Sequence, residues 1–252
     1  MKRKVFPSRH MEPLQEGIAR GFILVLLLLL FLSGCQSTRQ ARSVEKTGFL
    51  DDYSILREGA QDEALLVYRN PGVDWITYSK VIIDPVTIWL GKDSQLNEVS
   101  PEDRERMAND LWSKLIDALK NDYQIVHTPG PGTMRIQAAL TEAEESTIGL
   151  DTVSSVVPQM RVLSEAKYLA TGTASFVGKA SVEAKIIDAV TGNLLLAGVD
   201  RRAGSKNVKG SLYTWNDVEE VNSYWANQLN YRLCKLRAMT LDCVPPKEAM
   251  KK

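Results

Sequence analysis

The thiol of Cys35 is the group in this sequence that is best placed to do chemistry. It follows an apolar, leucine-rich run over residues 21–32, and the two residues directly before it, Ser33 and Gly34, are small. A basic start, a short apolar core and small residues before the cleavage point define a secretory signal. A cysteine thiolate is a nucleophile, and here it can form a thioether with a lipid. The pattern predicts cleavage between Gly34 and Cys35 and lipidation of Cys35.

The apolar run is too short for an ordinary membrane-spanning helix. It has about a dozen residues, whereas such a helix needs about 20. Either Met1 or Met11 is a plausible initiator, and basic residues follow both. Residues 32–35 resemble the lipobox of bacterial lipoproteins, which implies diacylation of Cys35, cleavage before it and acylation of its new amino group. A plain transmembrane anchor with an incidental cysteine is the alternative.

The residue after Cys35 bears on which membrane holds the protein. Gln36 stands where the inner-membrane retention signal of these lipoproteins would usually place Asp. The resemblance therefore implies an outer-membrane anchor that faces the periplasm, with the membrane bound through acyl chains on Cys35. More than one chain is needed for lasting attachment, since each buried methylene contributes about 0.8 kcal/mol.

Composition limits the remaining function classes. Residues 1–34 carry five of the 31 basic and two of the 31 acidic residues, so the remaining 218 residues have a net charge of about −3. That length suits one domain, or at most two small ones. No nucleic-acid partner is expected, because proteins that bind nucleic acid usually carry a clustered basic face.

Two cysteines remain once Cys35 is assigned to lipid, namely Cys234 and Cys243. An even pair in an oxidising compartment favours a disulfide, and two free thiols are the alternative. A metal site is not expected, because no histidine lies near and two thiolates do not make a tetrahedral ligand set.

The chain divides into four predicted parts. Residues 1–34 form a signal peptide, residues 35–46 the lipidated cysteine with a flexible polar tether, residues 47–244 a periplasmic domain, and residues 245–252 a loose tail. At the start of the domain, an aromatic residue and two leucines near a glycine indicate a short docking segment rather than disorder.

Two helices are predicted in this domain. The first has Ser100 as N-cap and Pro101 at the first helical position, and its apolar stripe ends near Asn121. The second extends from about Asp217 to Ala238, and a weaker helical pattern covers residues 158–168.

The strands are predicted from β-branched and aromatic content and from alternation. In the strongest pattern, apolar residues alternate with Lys179, Ser181 and Glu183, and Gly192 is expected at positive φ in the following turn. The order of elements predicts an α+β fold, a mostly antiparallel sheet with helices packed on one face in a single domain. The predicted strands are residues 64–68, 80–90, 123–127 and 134–140 and a hairpin over residues 174–202.

The hairpin and the docking segment also carry a family resemblance. Residues 176–192 and 200–204, together with residues 48–53, resemble the bacterial lipoproteins grouped as domain of unknown function 3313. The resemblance covers about residues 47–240. It implies a lipoprotein domain of the cell envelope, and it supplies no catalytic residues.

No further motif predicts catalysis. The glycines in residues 172–178 are separated by five residues where a phosphate-binding loop needs four, and no nucleophile elbow accompanies His127. We expect Asp188 to cap its turn and Asp200 to form cross-strand ion pairs. Trp75 and Trp215 lie in loop-like segments and are candidates for a contact patch.

These observations predict a non-enzymatic, outer-membrane-anchored periplasmic lipoprotein that serves as an adaptor or structural component of an envelope assembly. An envelope protein is its expected partner, and no cofactor or metal is expected. The alternative is a periplasmic module that binds lipid or another small ligand in an apolar cavity between helices and sheet. A cell-wall hydrolase is less favoured, because it needs a cleft with clustered carboxylates.

Overall fold

A computed structural model describes residues 38–60, 63–92, 94–144, 178–204, 215–237 and 243–246, which all belong to one compact unit. Short 3₁₀ turns lie at Trp75–Thr77 and Gln95–Glu98. The strands and helices are β1 (Arg39–Gln40), β2 (Arg57–Glu58), β3 (Leu66–Arg69), β4 (Lys80–Ile83), β5 (Thr87–Ile88), α1 (Pro101–Leu119), β6 (Gln124–Ile125), β7 (Thr133–Glu144), β8 (Lys179–Asp188), β9 (Leu194–Ala203) and α2 (Asn216–Arg237).

Both main helices lie where the sequence predicts them. The hydroxyl of Ser100 accepts a hydrogen bond from the backbone N–H of Asp103 at 3.1 Å, and Pro101 opens α1. The apolar stripe of α1 is buried against the sheet at Met107, Leu111, Leu115 and Leu119. The predicted helix over residues 158–168 lies outside the described residues.

The sheet is mixed, and the prediction of a mostly antiparallel sheet is wrong for one half of it. Its nine strands follow the order β2-β3-β9-β8-β7-β4-β6, while β1 also pairs with β9 and β5 with β7. The strands from β7 to β3 pair in antiparallel fashion, but β4 is parallel to both β6 and β7. Because α1 crosses over between β4 and β6, the chain returns in the same direction.

The β8–β9 hairpin is confirmed. Gly192 has φ 75°, as its place in the turn requires. The Asp188 carboxylate accepts backbone hydrogen bonds from Val190 at 3.0 Å and Thr191 at 2.7 Å, so Asp188 caps the turn as expected.

The two faces of the sheet are covered differently. Helices α1 and α2 pack on one face, around residues such as Ile136 and Ile186. The other face carries Lys179, Ser181 and Glu183, which are all buried rather than solvated. Glu183 is covered by the N-terminal arm (residues 38–56), which docks on this face. Its Leu50 packs against β9, which confirms the predicted docking segment.

The arm also shortens the predicted tether. Within residues 35–46, Arg39 and Gln40 pair with Ala203 and Arg202 of β9, and Ala41 is buried. This part of the chain is held because the free edge of β9 beyond β3 offers backbone groups to pair with. None of the described helices is both long and apolar enough to cross a bilayer.

Candidate functional site

A cleft of about 350 Å³ lies between α2 and the sheet face that the helices cover. Two small residues of the sheet, Ala184 and Gly198, help to leave this space. A Cβ atom in place of Gly198 would meet the Cβ of Ala64, just before the neighbouring strand β3, at 3.6 Å. The apolar walls are Ile136, Ile186 and Leu196 from the sheet and Leu229 and Leu236 from α2.

The cleft continues inward. A second hollow of about 120 Å³ shares Ala184, Gly198 and Leu229 with the cleft and reaches Leu111 and Leu115 of α1. The apolar space therefore extends from the outer half of α2 toward the packing between the two helices.

The mouth of the cleft is basic. Arg57 of β2, Arg69 of β3 and Lys235 of α2 are exposed there, and Arg232 is partly exposed. Among the described lining residues of this outer cleft, Glu63 is the only acidic one. Four cations against one carboxylate leave the mouth with a positive charge.

Glu63 remains a carboxylate at this mouth. Its partial burial would raise its pKa, but hydrogen bonds from the Arg57 guanidinium at 2.9 Å and from the backbone of Ala60, with Arg232 nearby, hold the pKa below its usual value. Glu63 therefore offsets part of the charge of Arg57 and Arg232 and leaves Arg69 and Lys235, which form no ion pair with any described residue.

Asp200 lies in the wall of the inner hollow and is buried. Its carboxylate accepts hydrogen bonds from the Gln40 amide at 2.7 Å, the Trp225 indole at 2.9 Å and the backbone of Leu65 at 3.2 Å. Loss of water on burial raises its pKa in spite of these donors. The expected cross-strand ion pairs are corrected, because the cation beside Asp200 is Arg202 of the same strand, at 3.8 Å.

A second polar cluster lies on the opposite face of the sheet, beneath the arm. Glu183 has no exposed surface. One carboxylate oxygen accepts from the backbone and the hydroxyl of Thr47 at 2.8 and 2.9 Å, and the other accepts from the backbone of Leu50 at 3.3 Å and from the Tyr53 hydroxyl. Both oxygens of Glu183 are thus used by residues of the arm, so the cluster fixes the arm to the sheet.

The structure confirms the predicted disulfide. Cys234, in the last turns of α2, is bonded to Cys243, with Cα atoms 5.8 Å apart. The bond ties Cys243 to the last turns of α2, next to Lys235 and Leu236, which line the cleft. The predicted cleavage and lipidation residues, Gly34 and Cys35, lie outside the described residues.

The expected tryptophan patch is wrong. Trp75 and Trp215 are buried at 6% exposure, because both side chains belong to the main hydrophobic core. Trp89 is instead the exposed one, and its ring packs edge-on against Phe49 of the arm. His127 lies exposed after β6, and no three metal-ligating side chains of the described residues converge.

Sequence reasoning missed the lining of the cleft. Ala184 fits the alternating pattern of β8, and Gly198 is an ordinary strand residue by its spacing. A glycine inside a strand can mark a position where another group comes close, which is the one local signal that pointed here. The basic residues at the mouth come from three separate elements, so they form no run in the sequence.

Solved structures give weak similarities. A PelC dodecamer from Paraburkholderia phytofirmans is 12% identical, covering 62% of this chain and 92% of that one, with a TM-score of 0.34. A DUF330 protein from Xanthomonas campestris is 9% identical over 66% and 93%, with a TM-score of 0.33. A putative neuraminyllactose-binding hemagglutinin homolog from Helicobacter pylori is 9% identical over 68% and 90%, at 0.31. Scores this low support no inference about function.

The family comparison is stronger. No curated protein matches the chain. The model of the family described as "Protein of unknown function (DUF3313)" matches residues 45–229. This range includes the end of the arm, the whole sheet from β2 onward and most of α2, and therefore well over half of the chain. The protein is thus a member of the DUF3313 family.

Proposed function

We propose that the protein is a non-enzymatic lipoprotein, anchored in the outer membrane by acyl chains on Cys35, whose periplasmic domain binds a small apolar ligand. The cleft between α2 and the sheet carries the binding part of this proposal. Its volume of about 350 Å³ is within the range of about 300–1,000 Å³ for small-molecule sites, which are mostly apolar with a few polar groups. The anchor rests on the lipobox at residues 32–35.

The carboxylates beside the cleft support binding rather than hydrolysis. A general acid or base must exchange a proton with its substrate. Glu63 is instead paired with Arg57, and Asp200 accepts from three donors of the fold. Both carboxylates are already used to hold the walls of the cleft.

Native mass spectrometry of the lipidated protein, purified from gently solubilised envelopes, tests the binding role. We expect a bound small molecule on the native chain and its loss from an Ala184→Phe variant, because the larger ring fills the cleft. Val190→Phe, at the exposed tip of the same hairpin, is the matched control and should keep the ligand. A native chain that carries no added mass contradicts the proposal.

The anchor has its own test. Cys35→Ser should block lipidation and leave a precursor that keeps its signal segment, which immunoblots of membrane fractions would show by size. A variant that is cleaved and localised like the native chain contradicts the anchor, whatever the result for the cleft.

An adaptor role toward an envelope protein is the second candidate, and one surface feature favours it. Trp89 and Leu90 are 36% and 48% exposed, and the Trp89 ring packs against Phe49 of the arm. Apolar side chains grouped in this way often mark protein contacts. Crosslinking in intact cells should capture a partner with the native chain and lose it with Leu90→Glu, while Val190→Glu keeps it. Equal capture by all three chains counts against this role.

A further inference from the structure

We infer that the cleft takes a single-chain amphiphile with an anionic headgroup, its alkyl chain lying inward and its headgroup held at the basic mouth. This inference rests on the proposed binding function and specifies the ligand of the same cleft. It follows from the shape of the apolar space, from the charges at its two ends and from the tryptophan at its inner end.

The shape favours one extended chain. The cleft and the inner hollow share Ala184 and Leu229 in their linings, so the two spaces adjoin, and the hollow reaches Leu111 of α1. A volume of about 350 Å³ holds on the order of ten methylene groups, each close in size to a water molecule of about 30 Å³. A bulky ring system would not follow this path between α2 and the sheet.

The charges set the orientation. The mouth carries Arg57, Arg69, Arg232 and Lys235 against Glu63 alone among the described lining residues of the outer cleft. The described lining of the inner hollow contains Asp200 and Glu63 and no basic residue, and the Asp200 oxygens already accept from Gln40, Trp225 and Leu65. An anionic group would therefore find no cation in the lining of the inner hollow and would be attracted to the mouth.

Arg69 and Lys235 are the residues most directly placed to hold the headgroup. Arg57 is paired with Glu63 at 2.9 Å, and Arg232 lies 3.8 Å from the same carboxylate. Arg69 and Lys235 are exposed on opposite sides of the cleft, on β3 and α2, and neither pairs with a described acidic residue. Guanidinium and ammonium groups bind carboxylates and phosphates through charge-assisted hydrogen bonds.

Trp225 gives the inner end a built-in reporter, because its ring lines the inner hollow. The test uses the full lipidated chain in phosphatidylcholine nanodiscs, titrated with ω-bromoundecanoate and, separately, with ω-bromoundecyl trimethylammonium. Bromine at the far end of each chain quenches tryptophan fluorescence on contact. We expect the anionic probe to quench at a concentration about tenfold lower than the cationic probe.

Charge reversal sharpens this test. In an Arg69→Glu/Lys235→Glu variant, the tenfold preference should disappear or reverse. Each exposed charge pair contributes modestly, so a tenfold preference is small enough to depend on these two residues. Both substitutions are at exposed positions and require no repacking of the core. Lys120→Glu, at the end of α1 and away from the cleft, is the control and should keep the preference. Any quenching that remains in Ala184→Phe comes from probe that has partitioned into the nanodisc, and it is subtracted from the quenching of the native chain.

The outcomes separate this inference from the binding function itself. Equal quenching by both probes that Ala184→Phe abolishes would overturn the headgroup assignment and leave a ligand site in the cleft. If neither probe shows quenching that Ala184→Phe removes, although thermal unfolding shows that every variant is folded, the inference and the proposed binding function are both overturned. A preference for the anionic probe that survives the double charge reversal would place the headgroup elsewhere and also overturn the inference.

Discussion

The two faces of the central sheet bury side chains in opposite ways. On the arm face, Glu183 is fully buried, and both of its carboxylate oxygens accept hydrogen bonds, from Thr47, Leu50 and Tyr53. On the helix face the lining is mostly apolar, with Asp200 as a buried polar residue, and Ala184 and Gly198 leave an unfilled cleft. Unsatisfied buried polar groups are costly, whereas an apolar space can remain open. The polar face is therefore the fixed one, and the apolar face is the one with room for a ligand.

The largest expected effect is on the arm face. Glu183→Ala removes the acceptor of two backbone N–H groups and two hydroxyls and should lower the free energy of unfolding by about 3 kcal/mol. Urea unfolding followed by circular dichroism measures it. Glu58→Ala, an exposed glutamate of β2, is the control and should change stability little. If both variants unfold at the same urea concentration, the arm is not held by this cluster.

On the helix face, the largest single restraint is the disulfide after α2. Cys243→Ser opens a loop with a sequence separation of 9, and loss of that constraint should cost about 2–3 kcal/mol. Urea unfolding of Cys243→Ser measures this loss of stability. Unfolding of the native chain with dithiothreitol, which also opens the loop, measures it independently. A native chain that is insensitive to the reductant would contradict a restraint of this size.

A matched pair of alanines compares the packing of the two faces directly. Ala139 is fully buried on β7 and pairs in register with Glu183, whereas Ala184 borders the cleft. Ala139→Leu should cost about 2 kcal/mol because no space receives the extra methyl groups. Ala184→Leu should cost less than about 1 kcal/mol, since its side chain extends into the cleft. Equal losses in thermal unfolding would show that the cleft is not available space.

The smallest expected effect is at alkaline pH. Burial, aided by a hydrogen bond to Asp188, raises the pKa of Tyr78 on the helix face to about 12. Burial and Glu183 raise the pKa of Tyr53 on the arm face. Unfolded tyrosine loses its proton near pH 10, so stability is full below about pH 10 and falls as the pH rises further.

Single substitutions show which face of the sheet causes the loss of stability at alkaline pH. Tyr78→Phe should remove about 1 kcal/mol of the decline between pH 9 and pH 11, with Tyr53→Phe acting in the same direction. Urea unfolding at the two pH values gives the difference for each chain. A decline that is identical in the native chain and both variants would assign it to other groups.

Local chemistry made part of this molecule predictable. Ser100 and Pro101 define the start of α1, Gly192 sets the hairpin turn, and the even cysteine pair forms its bond. Each of these depends on residues close in the sequence or on the compartment. The parallel pairing of β4 was missed because it depends on how α1 crosses the sheet, which no strand pattern encodes.

The burial of the polar side of β8 and the formation of the cleft both depend on residues that are distant in the sequence. Lys179, Ser181 and Glu183 have the alternation of a solvated strand face, and only a segment 130 or more positions away explains the burial of Glu183. In the same way, the cleft arises where Gly198 of β9 faces Ala64 and α2. Periodicity shows which side of a strand is polar, and it does not show what will cover that side.

The docked arm also determines how the domain would respond to force. Arg39 and Gln40 pair with β9, the third strand of the sheet order rather than its edge, and the Arg202 guanidinium donates to the Thr38 hydroxyl at 2.9 Å. A pull on the arm would load the two β1–β9 residue pairs and the Arg202–Thr38 hydrogen bond together. Tension would therefore reach an inner strand of the sheet before it reached the strands at the edges.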